Sequence, residues 1–361
     1  MVAISCQRDD DDNGGGVISI DLSSIDYDPQ AYEVDLPAHF PPLPANDENP
    51  LTVDGVDLGR HLFYDPILSR DSTISCASCH RQELAFTDGL KKSIGIDGRV
   101  GERSAMSIVN MAWADNGLFW DGRVTTLEEL SLHPIEDPVE MDEKLPNLVR
   151  KLQRNELYQE KFRKAFGINN TSEITPELIA KGLAQFQRTI VSGNSKIDRD
   201  LYLQIDFLTG EELDGFTMMF VEEDRVFEDA ECVHCHNPGP FFTGNQYLHN
   251  GLISESEAAQ NPGRYLVTNV NRDIGRFRAP TLRNIAITAP YMHDGRLETL
   301  EDVLDHYFSG GHPHPNRDPL LSMQAVTNFT QEHREAMIQA LHALTDTTLL
   351  SDPRYSNPFE N

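Results

Sequence analysis

Two pentapeptides stand out in this 361-residue chain: "CASCH" at 76–80 and "CVHCH" at 232–236. Each places two thiols on either side of a two-residue gap, with an imidazole directly after the second. That frame suits covalent attachment of haem: the thiols can meet the two vinyl groups, and the histidine can bind the iron from one side. A thioredoxin-like dithiol or half of a zinc site would use the same cysteine pair. A zinc site calls for its second pair close to the first, whereas these pairs lie more than a hundred residues apart. A redox dithiol has no use for the histidine that follows in both copies. Cys76, Cys79 and His80, together with Cys232, Cys235 and His236, are therefore read as two c-type haem sites. Such attachment takes place outside the cytoplasm, so the chain is expected to be exported, to a periplasm or an equivalent compartment.

The side of the iron opposite each histidine decides what a haem can do. After the second frame, "TLEDVLDHYFSGG" reads as a helix with Thr299 as N-cap and Asp302 completing a capping box, closing at Gly310-Gly311. Leu300, Val303, Leu304 and Tyr307 share one face of it, and His306 lies off that face. Tyr307 is either an ordinary core aromatic, whose phenol then needs a partner, or a ligand to a ferric iron. After the first frame, the equivalent positions are His133 and Pro134. Proline offers no ligand atom and is expected to end its helix. The following "IEDPVEM" brings Glu140 in on an extended stretch. An iron with a vacant side and a carboxylate beside it is a place to bind and split a peroxide.

The elements that carry these residues repeat. "RSAMSIVNMAWADNGLFWDGRVTTLEEL" (103–130) aligns with "RAPTLRNIAITAPYMHDGRLETLEDVL" (278–304) across a one-residue gap, and "AFTDG" (85–89) answers "FFTGN" (241–245). Between the halves, "ITPELIAKGLAQFQRTIVSGNS" (174–195) reads as a joining helix, with Thr175 as N-cap, Pro176 in the first turn and Gly193 as the stop. Strand-like alternation is scarce. The expected fold is mostly α, two cytochrome c-like haem domains from an internal duplication, with long loops and little β. The expected division is a signal remnant and flexible tether at 1–45, an N-terminal haem domain with its linking helix at 46–195 and a C-terminal haem domain at 196–361.

Acidic residues outnumber basic ones 58 to 30, a formal charge of -28. That field repels phosphate backbones and anionic lipid, so nucleic acid is not an expected partner, while a small basic protein would be drawn in. No run of 18 apolar residues occurs, as a membrane-spanning helix would need. The N-terminal "AISC" resembles the end of a bacterial lipoprotein signal, which makes Cys6 a candidate lipid anchor. A disordered tail with a stray thiol is the alternative.

The ordered set "GRHLFYDPILS", "CASCH", "FWDGR", "PVEM", "CVHCH", "APTLRN" and "PYMHDG", spanning roughly residues 50–345, resembles the bacterial dihaem cytochrome c peroxidases. The resemblance implies an N-terminal haem that reacts with peroxide and a C-terminal haem that takes electrons from a donor. It implies His80 and His236 as proximal ligands, Glu140 as the acid-base residue and Trp120 as a relay between the haems. It also implies a calcium ion between them, held here at Ser104 and the carbonyls of Arg278 and Pro280, with Ser104 where the family has asparagine. Three further positions depart from the commonest family pattern. Ile96 stands where many members have a histidine that caps the first haem, Leu130 replaces a glutamine, and Tyr307 replaces a methionine ligand. Tyr307 is similar to the tyrosine of the dihaem enzymes that mature the quinone cofactor of methylamine dehydrogenase, and on that resemblance it is read as an iron ligand. The leading expectation is hydrogen peroxide reduction with electrons from a small cytochrome c or copper protein. Peroxide-dependent oxidation of a partner protein's side chain and a dihaem electron carrier are the alternatives. A homodimer is among the expected assemblies.

Overall fold

The computed structural model describes residues 19–221, 230–324 and 329–360; Cys6, and with it the candidate lipid anchor, lies outside the described residues. The fold is mostly helical. Among the described residues, eight helices of nine or more residues are joined by irregular segments, and the one regular ladder is a two-residue antiparallel pair, Tyr247–Leu248 (β1) with Phe277–Arg278 (β2). No helix of the described residues is long and apolar enough to cross a membrane.

Two main apolar clusters organise the chain. The first centres on helix α1 (Val53–Tyr64) and helix α2 (Pro176–Thr189), through Leu58, Leu62, Phe63, Ile179, Leu183 and Phe186. The second centres on helix α3 (Gly210–Phe220) and helix α4 (Gln331–His342), through Phe216, Met219, Met337 and Leu341. In each pair a glycine lets backbones touch. A Cβ on Gly59 of α1 would fall 2.0 Å from the carbonyl oxygen of Gly182 on α2, and one on Gly215 of α3 would fall 2.0 Å from that of Ala336 on α4.

Helix α2 starts as expected. The Thr175 hydroxyl accepts from the Leu178 amide, and Pro176 occupies the first turn, where its missing N–H costs nothing. It ends at Thr189, however, well before Gly193. Gly193 is needed for close packing instead. A side chain there would strike Pro37 and Phe40, and its amide donates to Asp346 Oδ2 at 3.0 Å. The expected tether also differs from residue 19 onward. Leu22 is buried in the first cluster and its amide donates to Asn169 O, so this stretch is laid on the body by apolar burial. At the other end, Leu349 and Tyr355 belong to the first cluster, and the Tyr355 hydroxyl donates to Thr189 O. A C-terminal unit of 196–361 omits that return.

The segments that align in sequence share their turns. Asn110 and Asn284 both take left-handed backbone, as do Gly122 and Gly295, and the short bridges Leu118 to Val124 and Tyr291 to Leu297 match. Each leads to a capped helix, α5 (Leu127–Glu136) after Thr126 and α6 (Leu300–Phe308) after Thr299.

Candidate active site

In both frames the chain makes one tight turn, with the amide of the histidine donating to the carbonyl of the first cysteine at 2.9 Å: His80 to Cys76 and His236 to Cys232. His80 Nδ1 lies 2.9 Å from the carbonyl oxygen of Phe86, and His236 Nδ1 lies 3.1 Å from that of Pro280. A carbonyl only accepts, so each Nδ1 carries the proton and each Nε2 keeps its lone pair for a metal. Phe86 holds a left-handed conformation, φ 62°, that aims its carbonyl back at the ring. Burial pushes the Cys76 and Cys79 thiols up to about 12 and Cys235 to about 11. Thiols raised in this way are not the activated thiolates of a redox dithiol. No three His, Cys, Asp or Glu side chains converge as a metal site among the described residues. Two thiols beside a histidine whose outer nitrogen is unprotonated fit a covalently held haem, at both frames.

Glu140 sits beside the first frame, close enough for its charge to raise both Cys76 and Cys79. Its own carboxyl is raised to about 7, by burial first and by Asp137 second, against the pull of Arg123. The residue lies in a turn rather than the extended stretch the sequence led us to expect. Asp137 accepts from the Val139 amide through Oδ1 and from the Glu140 amide through its carbonyl, and Pro138 presets the bend. Pro134 also departs from expectation, because helix α5 continues two residues past it. Its φ suits a helix, and the Asp137 amide still donates to His133 O.

The backbone of 94–99 braces the Glu140 turn. The Ile96 amide donates to Glu140 O at 2.8 Å, and a Cβ on Gly95 would fall 2.0 Å from Val139 O. Ile96 is fully buried and turns its side chain into the protein. Gly95 was missed by sequence reasoning, since nothing local marks it.

Near the second frame, Tyr307 projects from α6 as its periodicity predicts, with Leu300 and Leu304 buried beneath. Its phenol is pushed up to about 12, by burial first, and the charges of Cys235 and Cys232 raise it further while a hydrogen bond with the Asn250 side chain opposes. His306 is committed elsewhere, its Nε2 2.9 Å from Asn250 O. Asn250 thus holds both neighbours, and its amide also lies 3.3 Å from the Met292 sulfur. It too was missed.

Between the two frames lies a cavity of about 430 Å³ whose lining includes Thr87, Met106, Trp113, Trp120, Arg278 and Pro280. Trp120 is fixed at both ends: its Nε1 donates to Ser104 O at 2.9 Å, and its carbonyl accepts from the Arg278 amide at 2.9 Å. The three positions expected to hold calcium lie here. The Ser104 hydroxyl donates to Met292 O at 2.8 Å, and Pro280 O already accepts from His236. Two of the three expected donors are thus engaged by protein groups.

The model of the family described as di-haem cytochrome c peroxidase matches residues 53–205. The cytochrome c551 peroxidase of Nitrosomonas europaea is 36% identical over 270 residues, 74% of this chain and 77% of that protein. This chain belongs to the di-haem cytochrome c peroxidase family. The family's MauG branch is equally near: the methylamine utilization protein MauG of Methylorubrum extorquens is 34% identical, covering 76% of this chain and 74% of its own. Among solved structures, a MauG-like protein associated with microbial copper homeostasis superposes with a TM-score of 0.80 at 34% identity, over 91% of this chain and 100% of the other. Family membership makes the chain an oxidoreductase of the peroxidase class, with two c-type haems as cofactors.

Proposed function

We propose that this di-haem peroxidase family member reduces hydrogen peroxide to water at the first frame, with electrons delivered by a small redox protein. The observation that carries the reading is Glu140, a buried carboxyl beside Cys76 and Cys79 that is raised to about 7. A carboxyl poised there can take a proton from the near oxygen of peroxide and return it to the leaving oxygen at neutral pH. His80 and His236 would hold the two haems through Nε2, with the four cysteines as covalent attachments and Tyr307 as a further ligand to the second. When bound, the haems supply the redox chemistry of O–O cleavage and store its oxidising equivalents. Phe86 O and Pro280 O fix the imidazole tautomers and add electron density to the ligands. Trp120, rigidly hydrogen-bonded in the cavity wall, is the relay. Per turnover, one peroxide, two electrons and two protons give two waters. Export to a periplasm follows from the covalent haem chemistry.

Electron paramagnetic resonance of the haem-loaded ferric protein tests this. One high-spin and one low-spin signal are expected, the low-spin one altered in Tyr307→Phe. Two low-spin signals would mean that a residue caps the first iron and would sink the reading.

Peroxide-dependent oxidation of a partner protein's side chain is the second reading, favoured by Tyr307: a phenolate stabilises oxidised iron, where a thioether favours the reduced state. Turnover with peroxide and a reduced cytochrome c separates the two. Rapid peroxide consumption with near-zero cytochrome oxidation would favour side-chain oxidation.

A further inference from the structure

Residues 201–207, "LYLQIDF", are exposed without interruption, with Leu203 at 47%, Ile205 at 53% and Phe207 at 67%. Leu213, 49% exposed, follows on the adjacent helix α3. A continuous apolar stretch of this kind on a water-facing surface marks an interaction site. The loop is held open in a fixed shape. Gln204 and Asp206 both take left-handed backbone, φ 55° and 54°, the Ile205 amide donates to Arg199 O at 2.9 Å, and Arg199 pairs with Asp206 at 2.6 Å.

One member of the loop is wired inward. The Tyr202 ring stacks on His39 at 4.0 Å and 4°, His39 meets Phe40 edge-on at 5.0 Å, and Phe40 meets Trp113 edge-on at 5.5 Å. Trp113 lines the cavity between the two frames, together with Thr87 and Pro280. An aromatic path therefore runs from the cavity wall at Trp113 to the exposed patch.

We infer that the 201–207 loop is the docking face for a redox partner protein, and that Tyr202 is the residue through which the partner's electrons enter. This rests on the peroxidase reading. Asp206 and Glu212 are neutralised by Arg199 and Lys196, whereas Asp200, Glu211 and Asp214 have no cationic partner among the described residues. With a chain charge of -28, the fitting partner presents an apolar spot ringed by Lys and Arg, and a second copy of this chain is repelled. In each transfer the partner's donor group loses one electron. Tyr202, having passed one electron inward to the site oxidised by peroxide and its phenolic proton to solvent, regains an electron from the donor and a proton. Two such transfers, with two protons, match one peroxide reduced to two waters.

The test uses the haem-loaded full chain with a reduced, small, basic cytochrome c as protein donor and ascorbate as the diffusible control. Ile205→Ser with Phe207→Ser should raise KM for the cytochrome roughly tenfold or more, and Tyr202→Phe should lower kcat with the cytochrome while leaving KM near its original value. Neither should change turnover with ascorbate. With peroxide and no reductant, a nitroso spin trap should form an adduct that peptide mass spectrometry places on Tyr202 and that Tyr202→Phe abolishes. Unchanged cytochrome kinetics in both variants, or no adduct at Tyr202, overturns the inference. So does a dimer in sedimentation that the double variant converts to monomer, because a second copy would then own the patch. Failure with both cytochrome and ascorbate defeats the peroxidase reading instead, and the spin-trap map still decides the role of Tyr202.

Discussion

The Glu140 carboxyl is where one residue's environment sets the chemistry. Its ordinary value of 4.5 is raised to about 7, by burial ahead of Asp137. The base must be ionised to accept a proton, so the rate of reaction with peroxide should rise with pH through an inflection near 7. Stopped-flow kinetics across pH should show it, and Glu140→Gln should remove the inflection and slow the step by about 10²- to 10⁴-fold. The same shift has a stability consequence of opposite sense. A carboxyl whose folded value lies above its unfolded value favours the protonated fold, so stability is lost as pH rises from about 4.5 through about 7. Glu140→Gln should therefore melt higher than the parent at pH 8 while matching it near pH 4. Equal melting temperatures at both pH values would mean that the carboxyl is not desolvated.

Elements place such residues, and they differ in how far the sequence discloses them. Caps are local hydrogen bonds between a side chain and amides two or three residues on, which is why Thr175 and the Thr299-Asp302 box were legible in the sequence. The haem frames were legible for the same reason, being five consecutive residues. Gly95 was not, because its constraint comes from Val139 O, far along the chain. The turn at Glu140 could have been read from Asp137-Pro138, but the proline at 134 drew attention to a helix end that the structure does not show. The tether from residue 19 was misread because scattered apolar residues such as Leu22 carry no periodicity. The helix pairs give a test with an unusual sign. A helix-interior glycine replaced by alanine ordinarily gains about 1 kcal/mol. Gly59→Ala and Gly215→Ala should instead destabilise, by roughly 1 to 3 kcal/mol, because a Cβ at either site lies 2.0 Å from a backbone oxygen of the facing helix. Thermal denaturation of the two variants would show whether the helix pairs are as tightly apposed as this geometry requires.

At the scale of the whole molecule, two buried polar knots stand out, one joining the two apolar clusters and one bracing the second cluster against the N-terminal segment. At one, Asn110 and Asn284, which both take left-handed backbone, hold Ser192, and Asp346 gathers the amides of Gly193 and Asn194. At the other, Asp198 takes two hydrogen bonds from Arg283 at 2.7 Å, caps its own helix through Ser195 and accepts from His39 at 3.1 Å. Arg283 in turn donates to Pro240 O, just after the second haem frame. Both Asp198 and the Arg283 side chain are fully buried, so removing one charge leaves the other without compensation. Asp198→Asn should cost about 3 to 5 kcal/mol, read as a lower denaturant midpoint. The pH dependence follows from the same contacts. Burial works against the ionised Asp198, but hydrogen bonds and charge from Arg283, with Ser195, outweigh it and hold the carboxyl below its usual 3.8. A depressed carboxylate stabilises the fold above its unfolded value and loses that contribution as pH falls through the folded one. The parent should therefore lose this contribution only below about pH 4, whereas Asp198→Asn should lack it already at neutral pH. An unchanged denaturant midpoint in the variant at pH 7 would mean that the ion pair adds nothing to the fold.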